Sequence, residues 1–243
     1  MSARSARRRF WLVTAAAVAG IAATLALGSW QMRRAGQKLA VQAAIDQRKA
    51  APPLRQRELL ASRDFTGLWY RPVVLRGTWV AGRTVFLDNR QMRGKPGFYV
   101  VTPLQLENVD AVVLVERGWA QRNFMEREKL PPIQTPEGVV ELHGRLAPPP
   151  AKLYEFAGAN GGVIRQNLDL ARFRAETGLA LLDVSVQQTG GPSEGLQRDW
   201  PEPASGVETN YGYAAQWWAL SILIAILYVW FQFIAPRRKV PHA

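Results

Sequence analysis

A chain of 243 residues with a net charge of +12, no cysteine and two histidines has room for one sizeable domain and little metal chemistry. Disulfides, thiolate nucleophiles, cysteine-bound zinc or copper and multi-histidine metal sites are excluded. The basic excess does not point to nucleic acid, because Arg4, Arg7, Arg8 and Arg9 at one end and Arg237, Arg238 and Lys239 at the other carry seven of the twelve charges, each cluster flanking an uncharged apolar run.

The first such run, Phe10 to Trp30 (FWLVTAAAVAGIAATLALGSW), is about 30 Å long as a helix and matches a hydrocarbon core. It is longer than a signal-peptide apolar region and reads as a retained anchor, although Ala26-Leu27-Gly28 would serve as a cleavage motif. Ala16, Gly20, Thr24 and Gly28 recur every four residues, a small-residue face suited to close helix packing. Gly36 to Ala50 extends the helix until Pro52-Pro53 stops it, and Glu58 to Ser62 is expected to form a further short turn.

Strand signals follow. Arg71–Val80 and Thr84–Leu87 flank Ala81-Gly82-Arg83 as an expected hairpin; Phe98–Leu106 and Ala111–Glu116 flank a loop at Glu107 to Asp110. Val139–Leu146, Val163–Asn167 and Leu179–Gln188 complete about seven strands in hairpin order, with a short helix at Leu170–Thr177. An antiparallel barrel or sandwich with small helices (α+β) is the expected core. Gly190–Thr209 reads as an extended tether. Ala214 to Ile234 is a second span with Trp and Tyr at both ends, followed by Pro236 and the basic cluster.

The expected organisation is therefore a membrane protein: a cytoplasmic N-terminus (1–9), transmembrane helix (10–30), β-rich extracytoplasmic domain with tether (31–210), second transmembrane helix (211–234) and cytoplasmic C-terminus (235–243). Short basic ends place both termini in the cytoplasm and the domain in the periplasm; no transit peptide precedes the first span, which favours a bacterial inner membrane.

No Walker loop, dinucleotide-binding glycine motif, G-x-S-x-G or H-E-x-x-H occurs. His143 lies mid-strand and is read as structural; His242 is in the basic tail. The informative residues are at the outer ends of the spans. Trp30, Arg33 and Arg34 share one helix face beside Gln31, and Tyr213, Gln216 and Trp217 share another by the same spacing. Aromatic surfaces below guanidinium groups suit a flat amphiphile bearing carboxylates, such as haem; an ordinary interfacial belt with snorkelling arginines is the alternative.

Leu27-Gly28-Ser29-Trp30-Gln31-Met32-Arg33, followed by Arg34, resembles the L-G-x-W-Q-x-x-R signature of the Surfeit-locus-one (SURF/Shy-type) family of cytochrome c oxidase assembly proteins. Val74 to Trp79 with Gly77, Asn89-Arg90 with Gly94 and Gly97, Val101 to Leu104 with Pro103, Leu114 to Trp119 (including Arg117, Gly118 and Trp119) and Tyr213 to Trp217 resemble its further blocks, in order. The resemblance implies an assembly factor without established turnover that helps haem a reach, or stay in, subunit I of a haem-copper oxidase. Subunit I, haem a synthase and membrane lipid are the implied partners, and nucleic acid is not. Trp30, Gln31, Arg33, Arg34, Tyr211, Tyr213, Gln216 and Trp217 are the implied haem-contacting set, with Arg90 a further candidate for a propionate. Asn210 stands where many members carry a histidine taken as a haem ligand, and asparagine is not a usual one. Ligation by Tyr211 or Tyr213, ligation by a partner, and a scaffold without tight haem binding all stay open. A membrane-anchored ligand-binding or sensor domain and a membrane-bound enzyme are the competing classes.

Overall fold

The computed structural model describes residues 3–126, 129–150, 162–202 and 205–239; His242 lies outside them. The chain divides into two compact units, Met1–Ala43 with Pro203–Ala243, and Ala44–Glu202.

The first unit is a helix pair. Helix α1 (Ala3–Ala50) runs unbroken until Pro52-Pro53 forbids its continuation, and α4 (Val207–Val229) continues through a π-helical turn at Trp230–Ile234. Both are long and apolar enough to cross a membrane. They pack antiparallel, since rising numbers on α1 meet falling numbers on α4: Thr14 shares a hydrogen bond with the Tyr228 hydroxyl (2.8 Å), Thr24 with Ser221 (2.6 Å), and Gln31 with Asn210 (2.7 Å). Between Thr14 and Lys38 the positions of α1 withdrawn from solvent are 14, 17, 20, 21, 24, 28, 31, 35 and 38, and on α4 they are 207, 210, 214, 217, 221, 224, 225 and 228. Apart from the flanking positions 20 and 225, the steps alternate between three and four, a seven-residue repeat of the kind that forms the seam of a left-handed helix pair. Gly20, Thr24 and Gly28 belong to this contact region as expected, whereas Ala16 faces outward. A Cβ at Gly28 would collide with the Trp218 indole, so the glycine is required by the packing.

The second unit is built on a mixed eight-stranded sheet: β1 (Leu54–Arg55), β2 (Pro72–Trp79), β3 (Val85–Met92), β4 (Lys95–Leu106), β5 (Val112–Gln121), β6 (Val139–Ala147), β7 (Ile164–Arg165) and β8 (Leu181–Gln188), in the spatial order 1-2-6-8-5-4-3-7. The end of β4 also pairs with β2, so the ladder runs from β2 through β6, β8, β5 and β4 back to β2. Three pairings are parallel, β1–β2, β3–β7 and β5–β8, which corrects the all-antiparallel expectation.

The expected hairpin around Ala81-Gly82-Arg83 is also corrected: the chain turns there, but β2 pairs with β6 and β4, while β3 pairs with β4 and β7. The true β3–β4 hairpin closes on Arg93-Gly94, both at positive φ (50° and 75°), the backbone that a two-residue hairpin needs.

Strand β5 is buried on both faces. Val113 and Val115 join Leu75, Leu104, Leu142 and Val184 in one core; Val112 and Leu114 join Leu87, Val101 and Phe173 in a second. Alternation along a strand sends neighbouring residues to opposite faces, so one strand supplies both cores. Helix α3 (Leu170–Thr177) covers the second core; Asp169 caps it by accepting from Arg172 N, and Gly178 ends it at φ 70°. Helix α2 (Gln56–Ala61) buries Leu59 in the first core.

The expected tether is not simply extended. Leu196 and Trp200 are buried, Gln197 pairs with Trp119, and the Trp200 indole donates to the Gln188 carbonyl (2.7 Å); α4 already begins at Val207.

Candidate functional site

The residues singled out at the helix ends separate into two sets. Gln31 faces α4, and its side-chain oxygen accepts from Asn210 Nδ2 at 2.7 Å. Lys38, two turns further along the same face, donates from Nζ to Asn210 Oδ1 (2.8 Å) and to the Gly206 carbonyl (3.3 Å). Asn210 is only 8% exposed and engaged at both ends of its amide. Ala35 and Ala214, each 1% exposed, close the helices around this cluster. Lys38 and the engagement of Asn210 were not anticipated. The seven-residue step from Gln31 to Lys38 was the available signal.

The second set, apart from Trp217 on the seam, points away from it. Trp30, Arg33, Arg34, Tyr211, Tyr213 and Gln216 are exposed, and Trp217 is half-buried. The Arg34 guanidinium lies 5.9 Å from the centre of the Trp30 ring. At this level Trp218 of α4 is laid against Gly28 of α1.

In the sheet, the motif residues are structural pins. Arg117, fully buried, donates to Thr135 Oγ1 (2.8 Å), the Gln134 carbonyl (2.6 Å) and Glu194 Oε2 (2.8 Å), and its guanidinium lies 4.6 Å from the Trp79 ring centre. A buried guanidinium needs such a set of acceptors. It ties the segment before β6 to the segment after β8. Gly118 makes room: a Cβ there would lie 2.7 Å from Leu196 Cβ. The Trp119 indole crosses Gly97 and donates to the Arg90 carbonyl (2.9 Å). Gly77 lets β2 cross β4 against the Gln105 carbonyl, and Pro103 accepts from Val80 N at 3.0 Å. Asn89, at φ 60°, sits in the bulge between Leu87 and Arg90.

Arg90 is not available to a propionate. It is buried, donates to the Gln166 carbonyl (3.0 Å) and lies 5.8 Å from the Tyr99 ring centre. His143, expected as a structural strand residue, is on β6 but exposed, paired with Glu141 at 3.1 Å.

A model of the SURF1 family matches residues 18–222, from within α1, across the whole sheet and into α4. The chain belongs to the SURF1 family. It is 28% identical to a SURF1-like protein of Drosophila melanogaster over 89% of this chain and 75% of that one. With Surfeit locus protein 1 of Homo sapiens it shares 27% identity over 85% of this chain and 72% of the other. With the cytochrome oxidase assembly protein SHY1 of Saccharomyces cerevisiae it shares 31% over 38% of this chain and 24% of that one.

Against the haem that the resemblance implies, the fit is divided. Arg33 and Arg34 offer exposed cations, Arg34 beside the Trp30 ring, chemistry suited to propionates and a flat macrocycle. The place of the expected axial histidine is taken by an amide already held by Gln31 and Lys38. Among the described residues, no three His, Cys, Asp or Glu side chains cluster to hold a metal ion.

Proposed function

We propose that this SURF1-family chain is an assembly factor for a haem-copper cytochrome c oxidase. In this reading α1 and α4 anchor it in a bacterial inner membrane with both termini cytoplasmic and the sheet domain periplasmic. It assists the delivery of haem a to subunit I, or its retention there, alongside haem a synthase. The observation that carries the reading is that the family match runs from within α1, across the sheet and into α4, with SHY1, named for oxidase assembly, among the relatives. Further support comes from the helix pair, which turns Trp11, Leu12, Val18, Ile222, Leu223, Ile226 and Phe231 outward, an apolar surface suited to lipid.

The role toward haem is orientation rather than ligation through Asn210. Haem a supplies the redox iron of the finished oxidase. Trp30, Arg33 and Arg34 are the residues of this chain that would hold its ring edge and carboxylates, leaving the iron ligand to another group.

Deletion of the gene tests the whole reading: haem a absorbance and oxidase activity of the membranes should fall several-fold and return with the wild-type chain. Complementation with the Arg33→Gln/Arg34→Gln double variant should restore protein level but only part of the haem a signal. Normal oxidase in the deletion strain refutes the assembly role; full rescue by the double variant removes those arginines from it.

A further inference from the structure

The sheet domain carries a groove of about 790 Å³, to which the motif block on β2 contributes only Val74 and Arg76. Its walls are α2, β2, β6 and the β4–β5 loop; its floor is apolar, made by Leu60, Val74 and Val109. Gln56 fastens one wall to another by donating to the Glu107 carbonyl at 2.8 Å.

The charges around the rim are unevenly matched. Glu107 pairs with Arg76 at 3.3 Å, and Glu141 lies 3.1 Å from the His143 ring, a hydrogen bond that becomes an ion pair only when the imidazole is protonated. Arg55 and Arg57 also line it, both exposed, and neither forms an ion pair among the described residues. An apolar floor beside two unmatched guanidiniums calls for a ligand with apolar side groups and carboxylates. Its openness favours a polypeptide over a small molecule: small ligands bind where most of their surface is enclosed, and this rim leaves Arg55, Arg57, Glu141 and His143 in solvent.

We propose that this groove docks an extended acidic segment of a partner polypeptide, with apolar side chains on Leu60, Val74 and Val109 and carboxylates on Arg55 and Arg57. The proposal stands apart from the oxidase reading, since it specifies the partner's chemistry and not its identity.

The full chain in nanodiscs is titrated with a fluorescein-labelled dodecapeptide alternating Glu and Leu, and with its Lys and Leu counterpart, following anisotropy. The acidic peptide should bind saturably and weaken with added salt. Arg55→Glu/Arg57→Glu should weaken it at least tenfold, while Arg83→Glu, exposed on the β2–β3 turn, should leave it unchanged. Hydrogen exchange should slow at 56–60 and 107–109 when the acidic peptide is present. Equal binding of both peptides, equal binding to the Arg55→Glu/Arg57→Glu chain, or no exchange protection overturns the proposal. Saturable displacement by laurate from the groove, with no peptide protection there, would assign it to a small carboxylate amphiphile and equally overturn it.

Discussion

Glu116 holds a carboxyl group where water does not reach. It is buried between strands, accepting from Ser185 Oγ and Gln187 Nε2, each at 3.1 Å. Burial pushes its pKa above the usual carboxylate range; the two hydrogen bonds and the charges of Arg90 and Arg145 pull the other way and are outweighed. A folded pKa above the unfolded one makes a contribution that is full below the unfolded value and lost as pH rises through the folded value. Glu116→Gln removes that loss. Thermal unfolding of the detergent-solubilised protein should show the variant melting above the wild type at pH 8, with the gap closing toward pH 4. Each kcal/mol is worth about 2–4 °C in a protein of this size. A variant less stable than wild type at pH 8 contradicts the assignment. Glu176 and Glu202 behave oppositely: hydrogen bonds from Arg165 and Lys49 hold their pKa values down, so their contributions fade as pH falls. Comparing variant with wild type at each pH cancels that background. None of this was legible in the sequence, where Glu116 is one acid among 19 and its two hydrogen-bonding neighbours, 69 and 71 residues away, both come from β8.

At the scale of elements, the strands and helices were readable because alternation and proline stops are local properties. Their partners were not. Ala81-Gly82-Arg83 marks a turn correctly, but nothing within it says that β2 will pair with β6 rather than β3. The helix seam shows the same limit. Alanine at many α1 positions makes a step of four as visible as the actual three-and-four alternation, and the choice is made by α4, which sets Trp218 against Gly28 and Ser221 against Thr24. Likewise Gln31 was legible as a motif residue and its bond to Asn210 was not. The seam can be tested because the chain has no native cysteine. Thr24→Cys/Ser221→Cys should form a disulfide readily, since the native oxygens lie 2.6 Å apart. Adding Gly28→Leu should cost about 1–3 kcal/mol of overpacking and cut cross-linking sharply. Undiminished cross-linking in the triple variant would mean that Trp218 does not pack there.

For the whole molecule, the antiparallel pair fixes where the two ends lie. Phe10 and Phe233 meet edge to face with ring centres 6.4 Å apart, so both chain termini leave the helix pair at the same end. In the proposed bilayer, green fluorescent protein fused to either terminus should fluoresce in the cytoplasm, and alkaline phosphatase inserted at Gly82 should be active in the periplasm. Termini reporting opposite sides would break the antiparallel arrangement itself.

The bonds between α1 and α4 join residues 179, 197 and 214 positions apart. A ribosome delivers α1 first, and its mate only after the whole sheet domain has been made. The Thr14 and Thr24 hydroxyls also donate to carbonyls of their own helix, Phe10 and Gly20, bonds that need no partner helix. The later-made α4 therefore completes the earlier-made α1. A product cut short before α4 would leave α1 without the neighbour its small and polar residues are shaped to meet, so loss of α4 should unsettle both helices together.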